Sequence, residues 1–106
     1  MDVYLNGRMV SYEKARISVG DAGFQHSVGL FETMAAYHGK PFRLEAHLNR
    51  LASSAAVLGL IRSLDLQELA QAVQRTLKHN YFTEARIRLT LTAGEILLLE
   101  RQDPKR

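Results

Sequence analysis

The chain has 106 residues, 46% of them hydrophobic and 24% charged, which fits one soluble domain with one modest core and excludes extensive disorder. Its 14 basic and 11 acidic residues leave a net charge of +3, too mild and too dispersed to mark a nucleic-acid footprint. With no cysteine there is neither a disulfide framework nor a thiolate metal site.

No apolar run approaches the roughly 20 residues that a membrane span needs. The start, Met1-Asp2-Val3-Tyr4, carries neither a basic nor an apolar signal region. The expectation is a cytoplasmic domain spanning residues 1–106, with neither membrane nor nucleic acid as partner. Ten of the 14 basic residues are arginine, which grips phosphates and carboxylates bidentately. An anionic small molecule therefore stays open as a ligand.

In chain order, Val3 to Val10 reads as two short strands around Asn6-Gly7, a dipeptide that accepts the positive φ values of a type I′ turn. Residues 12–29 show no sustained period and read as a long connection, a feature often tied to function. Leu30 to Tyr37 then reads as a strand, and His38-Gly39 turns the chain into Lys40-Pro41-Phe42. Pro41 marks an edge or a strand end.

A helix is predicted from about Leu44, with Leu48, Leu51, Ala55 and Leu58 continuing its apolar stripe and Gly59 ending it. A second helix starts at Asp65, which can cap it while Glu68 occupies the capping-box position. Its inner stripe is Leu66, Leu69, Val73 and Leu77, and Lys78, His79 and Asn80 suit its end. Ala85, Ile87, Leu89 and Leu91 then alternate with Arg86, Arg88, Thr90 and Thr92, the pattern of a half-buried strand. Ala93-Gly94-Glu95 reads as a turn into a hairpin partner over Ile96 to Leu99, with a frayed tail from Arg101 to Arg106. Strands, then helices, then strands make an α+β fold: a mostly antiparallel sheet packed with two helices.

The residues offer few reactive patterns. The histidines His26, His38, His47 and His79 lack metal-ligand spacing, so no metal site is expected. Phosphate-cradling glycine motifs and a nucleophile elbow are absent as well. His47 falls between apolar helix positions and reads as packed or hydrogen-bonded. His26 lies in the glycine-containing loop just before a strand, where a pocket role is open.

Arg50 flanks the inner stripe of the first helix. Pattern alone favours a surface arginine whose stem covers apolar area, with a phosphate-holding arginine as the sharper alternative. Arg86 and Arg88 share one strand face, either solvated or anion-binding. Glu32, set between apolar residues on a strand, must face solvent or hold a partner such as an arginine.

The segments Asp21-Ala22-Gly23-Phe24, Gly29-Leu30-Phe31-Glu32-Thr33 and Gly39-Lys40-Pro41-Phe42-Arg43-Leu44-Glu45-Ala46-His47-Leu48-Asn49-Arg50-Leu51 resemble the N-terminal domain of class IV aminotransferases. This is the fold-type IV pyridoxal-phosphate family, which includes branched-chain and D-amino-acid aminotransferases and aminodeoxychorismate lyases. Tyr4-Leu5-Asn6-Gly7 and Arg86-Ile87-Arg88-Leu89-Thr90 fit too, so the resemblance spans nearly the whole chain.

The resemblance implies that Arg50 binds the phosphate of pyridoxal 5′-phosphate and that Phe31 and His26 line the substrate pocket. It also implies an amino-acid or aminodeoxychorismate-like substrate and a homodimer. Ser27-Val28-Gly29 departs from the usual family sequence after the loop. Ala35 and the stretch after Gly94 lack the carboxylate-trapping residues of the branched-chain and D-amino-acid enzymes, which favours a lyase-like or separate branch.

In the family the Schiff-base lysine comes from a second domain, beyond position 106. Lys14, Lys40, Lys78 and Lys105 are the lysines here, and none is placed to face Arg50 on a rigid element. The chain therefore reads as the cofactor-phosphate half of an enzyme, a fragment with no catalytic residue of its own and no transamination alone. The rival readings are a polyanion-binding domain and a standalone dimerisation module.

Overall fold

The computed structural model describes residues 1–60 and 64–94. Strands β1 (Asp2–Leu5) and β2 (Arg8–Ser11) pair antiparallel, with Val3 opposite Val10 and Tyr4 opposite Met9. Asn6 and Gly7 turn the hairpin at φ 50° and 93°, the doubly left-handed backbone of a type I′ turn.

The segment read as a long connection holds a 3-10 turn, Tyr12–Lys14, and a short helix α1, Ala22–His26. Five residues are too few to show an apolar period, so local capping makes this helix. The Asp21 side chain accepts the Gly23 N–H at 2.8 Å, and Ser27 ends the helix at φ 57°.

Strand β3 (Gly29–Tyr37) follows, then a turn at His38-Gly39 with both φ values positive, and the two-residue strand β4 (Lys40–Pro41). After helices α2 (Leu44–Leu58) and α3 (Leu66–His79) the chain returns as β5 (Ala85–Thr92). The sheet order is β4-β3-β5, all antiparallel. Pro41 thus lies on an edge strand, where its missing N–H costs no ladder bond.

This is the expected α+β fold with two long helices, with one difference of layout. The β1–β2 hairpin forms its own two-stranded sheet rather than joining the other three strands. Polar ties hold it to the end of α3. Asn80 Oδ1 accepts the Asp2 N–H at 2.7 Å, and its Nδ2 donates to the Asp2 carbonyl at 2.8 Å. His79 Nε2 lies 2.7 Å from the Asp2 carboxylate. The strand expected over 96–99 and the tail from 101 lie outside the described residues.

Helix α2 ends as its sequence dictates, with Gly59 at φ 69° and its N–H turned back to the Ala55 and Ala56 carbonyls. Asp65 caps α3 by accepting the Glu68 N–H at 3.0 Å. The core joins Met34 and Ala36 of β3 to Leu48, Leu51 and Ala55 of α2 and to Val73 and Leu77 of α3. The α2 stripe stops at Ala55. Leu58, expected to extend it, is 58% exposed at the last turn of the helix.

The Asp21-Ala22-Gly23 segment is fastened to the far end of β5. Thr92 Oγ1 donates to Asp21 Oδ1 at 2.9 Å, and the Ala22 N–H reaches the Gly94 carbonyl at 2.8 Å. A Cβ on Gly23 would meet Thr92 Cγ2 at 2.5 Å, and that threonine cannot rotate away without losing Asp21. We therefore expect Gly23→Ala to destabilise the chain by about 1–3 kcal/mol, measured as a lowered urea midpoint. A midpoint equal to wild type would show that this close approach is unimportant.

Candidate functional site

Strand alternation sends Glu32 to the same inner face of β3 as Met34 and Ala36. There it is only 9% exposed, the one buried charged residue among those described. A carboxylate so placed must find donors. Helix α2, packed against β3, supplies them from His47 and Arg50, three residues apart on one helix face.

Arg50 grips the carboxylate with two parallel bonds, Nε to Oε2 at 2.9 Å and Nη2 to Oε1 at 2.7 Å. His47 Nδ1 lies 2.7 Å from Oε1. The Arg50 bonds, outweighing burial and aided by His47, hold the Glu32 carboxyl down at about 2. As Glu32 is then an acceptor only, His47 Nδ1 must carry the proton and donate. The 3.2 Å approach of Arg50 Nη2 to His47 Nδ1 is accordingly a contact between two donors, not a hydrogen bond.

The same pairing holds the Arg50 guanidinium above its ordinary value, hydrogen bonding first and charge second. Although anchored, the Arg50 side chain is 65% exposed. Its Nη1 makes no hydrogen bond with any described residue. The arrangement presents an immobilised cation with a free donor edge, a geometry suited to a phosphate or carboxylate oxygen.

The structure distributes the sequence candidates unevenly. Glu32 and Arg50 meet, and His47 joins them through a hydrogen bond rather than as packing alone. Phe31, the residue before Glu32, points to the opposite face of the sheet and is 56% exposed. His26 ends α1, exposed, with no hydrogen bond or ion pair to Arg50.

Sequence reasoning did not assign Arg50 to Glu32. The available signal was a lone acid on an apolar strand face, with His47 and Arg50 at helical spacing on the following helix. Also missed was the Arg88 guanidinium, 3.8 Å from the centre of the Phe31 ring. Among the described residues, no three side chains of metal-ligating type cluster, and no helix is long and apolar enough to cross a membrane.

The Glu32 carboxyl, lowered from 4.5 to about 2, contributes stability that is complete above pH 4.5 and lost as pH falls toward 2. The stability gap between wild type and Glu32→Gln should therefore stay constant above pH 4.5 and close below it. Urea unfolding at stepped pH measures this gap; one that is flat down to pH 2 would contradict the ion pair.

Comparison with known proteins gives this geometry a setting. The family described as amino-transferase class IV matches residues 29–105. The chain is 39% identical over 94 residues to a Methanocaldococcus jannaschii protein named for branched-chain-amino-acid aminotransferase activity, covering 89% of this chain and 33% of that protein. It is 35% identical over 92 residues to a D-alanine aminotransferase of Staphylococcus epidermidis, with 87% and 33% covered. Against the aminodeoxychorismate lyase of Bacillus subtilis the figures are 34% over 94 residues, with 87% and 32% covered.

Among solved structures, the PLP-bound form of a hypothetical aminotransferase from Mycobacterium tuberculosis superposes with a TM-score of 0.81. That match is 27% identical and covers 91% of this chain and 34% of that one. The branched-chain amino acid aminotransferase of Escherichia coli superposes with a TM-score of 0.80, at 28% identity, with 88% and 33% covered. The chain spans about a third of the length of the curated relatives it matches. By sequence and by fold, it belongs to the class IV aminotransferase family.

Proposed function

We propose that the chain is the cofactor-phosphate-binding part of a pyridoxal-phosphate enzyme acting on an amino acid, either an aminotransferase or an aminodeoxychorismate lyase. The observation that carries this reading is Arg50, exposed and locked by Glu32 with the Nη1 edge free. A guanidinium already fixed by a buried carboxylate loses little side-chain freedom on gripping a phosphate. Arg50 is then the phosphate ligand. Glu32 and His47 are positioning residues that act through it, while Phe31 and His26 shape the substrate side.

These residues fit pyridoxal 5′-phosphate at its phosphate end. The bound cofactor supplies an electron sink for charge developing at the amino acid's α-carbon. This chain's share is to bind and orient. Lys14, Lys40 and Lys78 are exposed, and none takes part in the Arg50 cluster. The lysine that carries the cofactor is therefore assigned to the remaining two-thirds of a family-length protein, and the 106 residues alone should not transaminate. Exposed Ile17, Val19 and Phe24 support a covered apolar surface, in keeping with a homodimer.

The test uses the full reading-frame product, titrated with pyridoxal 5′-phosphate by visible absorbance. Arg50→Ala should weaken cofactor binding roughly ten- to a hundredfold, the worth of one or two charge-assisted bonds, with Arg50→Lys between. Borohydride reduction should then place the adduct on a lysine other than Lys14, Lys40, Lys78 and Lys105. Unchanged affinity in Arg50→Ala would remove Arg50 from the site. An adduct on one of those four lysines would overturn the division of labour.

A further inference from the structure

Helix α1 has little burial of its own to hold it. Between Tyr12 and Val28 only Gly20 and Ala22 are buried, while Phe24, His26 and Val28 are exposed. Its five residues fall far short of the roughly 12–15 that an isolated helix needs in water. Such a helix must be placed by specific contacts, and these converge on one side chain, Thr92.

Every part of Thr92 beyond Cβ is engaged. Its hydroxyl donates to Asp21 Oδ1 at 2.9 Å and accepts the Gly94 N–H at 3.1 Å. Asp21 spends its other oxygen on the Gly23 N–H, in the first turn of α1, at 2.8 Å. The methyl group fills the space that glycine leaves at two places. A Cβ on Gly23 would meet it at 2.5 Å, and one on Gly29 at 3.3 Å. The backbone adds a bond from the Ala22 N–H to the Gly94 carbonyl at 2.8 Å, and Gly94 is itself oriented by the Thr92 hydroxyl.

The register decides which face α1 covers. Thr92 is the cross-strand partner of Gly29, and Thr90 that of Phe31. Alternation puts Thr90 and Thr92 on one side of β5. Gly23 therefore rests on the same outward face that carries Phe31, at the next pair along.

We infer that Thr92 is a positioning residue for the substrate side: it sets α1, and with it His26, over the end of the sheet face on which Phe31 lies. The assignment rests on the proposed function for the roles of His26 and Phe31. Arg50 takes no part in this clasp, because Glu32 holds it from the inward face. The two ends of the site are thus set by separate interactions, and one can be disturbed without the other. A displacement of about 1 Å in a positioning element can cost a reaction roughly a hundredfold.

The experiment uses the full reading-frame product loaded with pyridoxal 5′-phosphate, with L-alanine and D-alanine as probes of the amino-acid side. Thr92→Val keeps the shape and removes the hydroxyl. It should leave the cofactor titration within about twofold of wild type and raise the alanine concentration for half the absorbance change about tenfold. Hydrogen exchange at the bonded amides of Gly23, Gln25 and Val28 should quicken by a similar factor. Thr92→Ser keeps the hydroxyl and should change each readout less. Amides of α2 and α3 are the folding control and should exchange as in wild type.

Rescue tests the methyl contact. Gly23→Ala should quicken exchange in α1 and raise the alanine requirement. Adding Thr92→Ser removes the clashing methyl and should restore both toward wild type, whereas a merely destabilised protein gains nothing from a second truncation. This rescue carries the test if Thr92→Val does not fold. Wild-type exchange in Thr92→Val overturns the assignment, as does a double variant no better than Gly23→Ala. Cofactor and alanine affinities that fall together overturn it too. Failure of the functional reading looks different. The wild type then takes up no pyridoxal phosphate or responds to neither alanine, and the exchange and rescue series, which needs neither ligand, still decides the clasp.

Discussion

The structure turns on one buried carboxylate. Glu32 occupies an inward position of β3, where its neighbours on the same face are Met34 and Ala36. An unpaired acid at such a place would cost the fold several kcal/mol or be protonated. It remains ionised because Arg50 meets both oxygens and His47 meets one of them. Those bonds also fix how α2 lies on β3, since Leu48 and Leu51 enter the core from the helix that carries both donors. Packing and charge pairing thus select the same placement of the helix.

The apolar core is small, and polar fastenings complete it at the edges. Asn80 and His79 tie the start of β1 to the end of α3. Asp21, Thr92 and Gly94 tie the beginning of α1 to the end of β5 across a span of more than 70 residues. Each fastening satisfies a backbone or side-chain donor at the end of an element, where the ladder or helix leaves groups unpaired. The loop between β2 and β3 is thereby held at its α1 segment.

Strand β3 separates two kinds of chemistry by simple alternation. Its inward side holds the Glu32 that anchors Arg50. Its outward side holds Phe31, on which Arg88 is stacked. One strand therefore organises two arginines of different character, one fixed by a charge and the other by an aromatic ring. Among the described residues, neither guanidinium has all its donors taken.

Periodicity and punctuation determined most of the architecture. The Asn6-Gly7 and His38-Gly39 turns, the caps at Gly59 and Asp65, the α2 and α3 stripes and the alternation of β5 all follow from local sterics and from period, which are written in neighbouring residues. The resemblance also drew attention to Arg50, whose pairing with Glu32 the structure shows. Tertiary structure alone decided which partner Glu32 takes, that His47 joins it, that Arg88 lies on Phe31, and that the first hairpin stands as a separate sheet. The reason is physical: spacing along the chain fixes the face a side chain takes, whereas the packing of whole elements fixes what that face meets.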